Sequence, residues 1–216
     1  MPFLSLGWTQ KDADLPPAFE STDFADFRMV SIADQAATTP RLRAEAQLAL
    51  FDAGHNLVPI APGWMVSASD ACRISRPGAA EISAALACLK GKAQLSFQLS
   101  HDAPLPPLRQ VSGGWLRQRQ AARESCQRRR QLLEEMADRV IDALPVLELA
   151  EPDGQSGDGL VRHVLVRTET HTDIRRQLRA AIDRHQGPNL RLDVCGPWPA
   201  YAFAPALLPK TTRSAA

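Results

Sequence analysis

The chain has 216 residues, 44% of them hydrophobic and 23% charged, which is enough apolar material for one large domain or two small ones with an ordinary core. Lys and Arg number 25 against 24 Asp and Glu, a net charge of +1, so the whole-molecule field gives no reason to expect nucleic acid or an anionic membrane as partner. Apolar runs stop well short of the roughly 20 residues a membrane helix needs, and the start, MPFLSLGWTQKDADLPP, lacks the pattern of a secretory signal; no membrane partner is expected, and the expected compartment is the cytoplasm.

FLSLGW reads as a short edge strand, residues 11–26 as a loop of charges, prolines and small residues, and FRMVSI as a second strand. Pro40 opens a helix in which Leu42, Ala46, Ala49 and Ala53 recur at helical spacing and Gly54 supplies the stop. NLVPI is a strand whose Pro59 confines it to an edge or a bulge. PGAAEISAALACLKG is a helix with Ile82, Ala85, Leu86 and Leu89 on one face and Gly91 past its end.

From residue 92 the order of elements becomes informative. KAQLSFQLS alternates Ala93, Leu95, Phe97 and Leu99 with polar residues, the period of a strand with one buried face. After a DAPLPP loop, a long helix runs from Gly114 to about Leu144, with an apolar stripe of Trp115, Ala122, Cys126, Leu133, Met136, Val140 and Leu144. VLEL and LVRHVLVR form a hairpin around the loop EPDGQSGDG. HTDIRRQLRAAIDRHQG is a helix with Thr172 or Asp173 as N-cap and Ile174, Leu178, Ala181 and Ile182 facing inward, and LRLDV is the last strand. The fold class expected is therefore α+β in two domains. Residues 1–91 form an N-terminal α+β unit with at least two helices, and 92–216 form a ferredoxin-like β-α-β-β-α-β antiparallel sheet with both helices on one face.

No constellation for catalysis emerges. His163 lies in a strand and His171 and His185 flank a helix; the Gly113-Gly114 pair is not followed by the Lys of a phosphate loop. Asp153 and Asp158 do not fit a calcium-loop spacing and read as a solvated hairpin loop. Cys72, Cys88, Cys126 and Cys195 are dispersed, which points to reduced, mostly buried thiols. No enzyme activity, catalytic residue, cofactor or metal is expected. One local charge stands out, the helix segment with Arg117, Arg119, Arg123, Arg128, Arg129 and Arg130 against Glu124. Its charge is split between faces and no aromatics interleave with it, so a solvated or acid-paired face is favoured over nucleic acid.

The end of the chain is unusual. GPWPAYAF, residues 196–203, places two prolines and three aromatics directly after the last strand. It resembles the C-terminal GPWPPYSF-like motif of the gas vesicle protein F/L family (GvpF/GvpL). PIAPGWMVS, LACLKGKAQLSFQLS and SGGWLRQRQAARES are similar to further segments of that family, in the same order. The chain departs from the family pattern at Ala61-Pro62, Gln94, Ala200 and Ala202. The resemblance implies a non-enzymatic, gas vesicle-associated accessory protein that binds the hydrophobic shell protein and assists its assembly, with other gas vesicle accessory proteins as further partners. The partner-binding residues expected are Gly196, Pro197, Trp198, Pro199, Tyr201 and Phe203. They either form an apolar ridge for the shell protein or close the protein's own core. The competing function is a ferredoxin-like nucleic-acid-binding module using the Arg-rich helix; Phe97 is the only aromatic on the predicted strands of that domain.

Overall fold

The computed structural model describes residues 3–33, 39–61, 66–101, 114–151, 159–185 and 190–204. Its chain divides into two compact units, residues 1–94 together with the segment from Pro197 on, and residues 95–196. The sequence places the division at residue 91 with the tail in the second domain, whereas by contacts the segment from Pro197 groups with the first unit.

In the first unit, β1 (Phe3–Gln10), β2 (Glu20–Asp23), β3 (Phe27–Ala33) and β4 (Leu57–Pro59) form an antiparallel sheet in the order β2-β3-β1-β4. FLSLGW is thus a central strand and not an edge, and the segment expected to be a loop contributes the edge strand β2. Leu6 and Trp8 of β1 are buried, as are Met29 and Val30 of β3. Gly7 is what lets β1 sit between two neighbours: a Cβ there would lie 2.3 Å from the Val58 carbonyl oxygen, and the β1–β3 register shifts between Ser5 and Gly7.

Three helices complete this unit. α1 (Pro40–Asp52) starts where Pro40 predicts, with the Thr39 hydroxyl accepting from the Leu42 N–H at 3.3 Å. Its buried face is Arg43, Gln47 and Leu50. The expected stripe is displaced, with Leu42 47% exposed, because the inward positions satisfy backbone groups of the sheet and so carry polar side chains. α2 (Ala68–Ser75) was not anticipated. Its signal was the Ser67-x-x-Asp70 pattern, in which the Ser67 hydroxyl accepts from the Asp70 N–H at 3.1 Å. It is anchored by the buried Trp8 indole N–H, which donates to the Ser75 hydroxyl at 2.7 Å. α3 (Ala79–Leu89) buries Ile82, Leu86 and Leu89 as its spacing predicts.

Residues 92–198 hold β5 (Lys92–His101), α4 (Trp115–Asp142), β6 (Glu148–Ala150), β7 (Gly159–Arg167), α5 (His171–His185) and β8 (Leu190–Trp198). The element order is the expected one, and the four strands form an antiparallel sheet in the order β6-β7-β5-β8. Ala93, Leu95, Phe97 and Leu99 of β5 are all buried, so the alternation reads true. α5 begins earlier than expected: the Ile174 N–H donates to the Thr170 carbonyl, which leaves Thr172 and Asp173 inside the first turn. α4 buries Leu133, Ala137, Val140 and Ile141 in its second half only, while Trp115 is 58% exposed and Cys126 is exposed. The thiols also differ from expectation, since Cys88, Cys126 and Cys195 are exposed and Cys72 half-buried. The DAPLPP loop and residues 152–158 of EPDGQSGDG, with Asp153 and Asp158, lie outside the described residues, as does Gly113.

Candidate partner-binding site

The site starts from two polar residues one helical turn apart on α1. Arg43 and Gln47 are both completely buried, which is costly for an amide and more so for a charge unless their donors are used. The Arg43 Nη2 donates to the Ser5 carbonyl at 2.8 Å. The Gln47 Nε2 donates to the Leu6 carbonyl at 2.6 Å and the Ile60 carbonyl at 2.7 Å. Gln47 therefore ties α1 to β1 and to the residue after β4, and its Oε1 is left to accept.

The tail supplies the donor. Tyr201 Oη donates to Gln47 Oε1 at 2.9 Å, and the Ala202 N–H donates to the Oε1 of the buried Gln94 at 2.8 Å. Desolvation pushes the Tyr201 phenol up to about 12, against the opposing pull of the nearby Arg43 charge. Burial lowers the Arg43 guanidinium from its ordinary value, partly offset by Tyr201. The phenol is therefore neutral at neutral pH.

Of the residues expected to bind a partner, Gly196 sits within β8 at φ 111°, a conformation that favours glycine, and its carbonyl accepts from Arg175 in the second unit at 3.3 Å. The strand continues through Pro197 to Trp198 instead of ending at Val194. Tyr201–Phe203 then form a single 3-10 turn, closed by the Phe203 N–H donating to the Ala200 carbonyl, so the tail is not extended throughout. Pro199 and Ala200 are buried; Pro197, Trp198, Tyr201 and Phe203 are half-buried. Pro199 and Ala200 also line a cleft of about 270 Å³ with Phe51, Asn56, Leu89 and Lys92.

The other candidates do not assemble into chemistry. His163 Nδ1 lies 2.9 Å from the Ser96 hydroxyl on the second sheet, a pairing that sequence spacing could not reveal, and burial lowers its pKa, so it is a neutral cross-strand link at neutral pH. Among the described residues no group of three or more His, Cys, Asp or Glu could hold a metal, and no helix is long and apolar enough to cross a membrane. On α4, Arg128 pairs with Glu124 at 3.6 Å, Arg130 pairs with Glu134 at 2.9 Å, and Arg119 lies over the Trp115 ring at 5.2 Å. Phe97 is buried, so it offers no stacking platform for bases, and the nucleic-acid alternative gains no support.

Comparison with known proteins adds to this geometry. The family described as gas vesicle synthesis protein GvpL/GvpF matches residues 44–205. Two solved structures share the fold. The gas vesicle protein GvpF from Microcystis aeruginosa superposes with a TM-score of 0.71 at 16% identity, covering 94% of this chain and 99% of that one. GvpF from Anabaena sp. PCC7120 gives 0.69 at 14% identity, covering 94% and 98%. No curated protein sequence matches the chain.

Proposed function

The chain belongs to the gas vesicle synthesis protein GvpL/GvpF family, and we propose that it is a cytoplasmic, non-enzymatic accessory protein of gas vesicle formation that binds the hydrophobic shell protein and assists its assembly. The observation that carries this reading is the docked tail. Pro197, Trp198, Tyr201 and Phe203 are only half-buried, and the segment is anchored by the Tyr201 hydroxyl on Gln47 and the Ala202 backbone N–H on Gln94. A tail that merely closed a core would bury its aromatics completely; a floppy tail would lose binding energy to ordering on contact, at roughly 1–2 kcal/mol per residue. A preset, partly open aromatic ridge avoids both and suits a partner with apolar helices and strands.

The second unit supports the same reading as a scaffold. Its β-α-β-β-α-β element order and β6-β7-β5-β8 strand order support a ferredoxin-like reading of this antiparallel sheet, a fold that carries no function by itself. Binding of labelled shell protein and of a labelled oligonucleotide, each at low and high salt, tests the proposal. Salt-tolerant binding of the shell protein is expected, since apolar contacts are not screened. Salt-sensitive binding of the oligonucleotide with no binding of the shell protein would replace it.

A further inference from the structure

α4 behaves differently along its length. Its second half is packed, but from Trp115 to Leu132 no side chain is fully buried. At 3.6 residues per turn the row Trp115, Ala122 and Cys126 continues Leu133 and Val140, so one stripe passes from covered to uncovered. Beside the uncovered part stand Arg119, Arg123 and Arg130, and Cys126, Gln127, Arg129 and Arg130 line a cleft of about 210 Å³. From Arg117 to Arg130 the helix carries six Arg against one Glu, a net +5. Among the described residues Arg117 and Arg123 have no ion pair. The first turn has no acidic residue, so Arg117 sits unfavourably at the positive end of the helix dipole.

A cationic surface fits an acidic segment, and the chain contains one. From Asp12 to Asp26 it carries Asp12, Asp14, Glu20, Asp23 and Asp26 with no Lys or Arg, a net −5. All five carboxylates are exposed, while Leu15 and Phe19 between them pack against the core cluster of Leu6, Val30 and Leu50. Only Asp23 has an ion pair among the described residues, with Arg28 at 2.6 Å. The segment includes β2, an edge strand of its sheet. On α4, Arg128 and Arg130 are paired with Glu124 and Glu134, so Arg117, Arg119, Arg123 and Arg129 are the cations left to meet such a segment among the described residues.

We propose that the uncovered first half of α4 docks the acidic 12–26 segment of a second copy of this chain. The contact joins unlike surfaces, so it is head-to-tail and can repeat to give rings or open rows. It rests on residues separate from the tail and stands independently of the tail's role.

Sedimentation velocity of the full chain tests it. Association at low salt is expected, weakening by at least about tenfold at high salt as the Debye length shrinks from about 10 Å to about 3 Å. Arg119→Glu with Arg123→Glu should abolish it, and so should Asp14→Lys with Glu20→Lys, both without change in melting temperature. Mixing the two variants should restore association, because the reversed charges again oppose each other. A wild type that stays monomeric at low salt overturns the proposal, as does either variant associating alone, or a mixture that stays monomeric. Oligonucleotide binding lost with the Arg variant, in a wild type that does not self-associate, would make nucleic acid the occupant and also overturn it.

Discussion

Tyr201 is the only tyrosine in the chain, so its ionisation reports on the tail alone. Absorbance titration should find the phenol ionising at about 12; a value near the ordinary 10 would mean an undocked tail. Because the folded value lies above the unfolded one, the contribution to stability is complete below about pH 10 and is lost as pH rises from there through about 12. Tyr201→Phe should remove that alkaline loss and cost about 1 kcal/mol at neutral pH by denaturant titration, since Gln47 loses its tail donor. His163 runs the other way. Burial depresses its folded pKa, so its contribution is complete above the unfolded value of about 6.5 and is lost as pH falls below it; His163→Gln should flatten the stability change between pH 7.5 and 5. Gly7→Ala should cost at least about 2 kcal/mol, because the added methyl meets backbone and not a movable side chain. None of these contacts was legible in the sequence. Tyr201 and Gln47 are 154 positions apart, and no local pattern joins them.

At the scale of elements, what could be read depended on whether the inward face was apolar. β5 and α3 bury the residues their periods select. α1 has the right ends and the wrong face, because Arg43 and Gln47 face inward to serve the carbonyls of Ser5, Leu6 and Ile60. α2 is short, and only its cap announces it. α4 carries in sequence an apolar stripe interrupted by Arg129, and only Leu133 and residues after it are buried. Adjacent leucines separate the two behaviours. Leu133→Ala should cost about 2–5 kcal/mol in thermal or denaturant unfolding, whereas Leu132→Ala, 59% exposed in the wild type, should stay within about 0.5.

For the whole molecule, the sequence order of elements was legible and the grouping of the tail was not. Periods of 2 and 3.6 give the β-α-β-β-α-β run, but nothing local says that the chain from Pro197 belongs with residues 1–94. That return is what gives the aromatic segment a fixed, half-open position, and the account's central claim is that the shell protein binds there. The most direct measurement is shell-protein affinity of the Trp198→Ala chain, with its melting temperature and Tyr201 titration recorded on the same sample. A half-buried aromatic anchor is worth about 2 kcal/mol to a partner, so affinity should fall at least about tenfold while melting temperature and the Tyr201 titration hold. Unchanged affinity with a lowered melting temperature would contradict the claim and leave the tail as part of the first unit's structure alone.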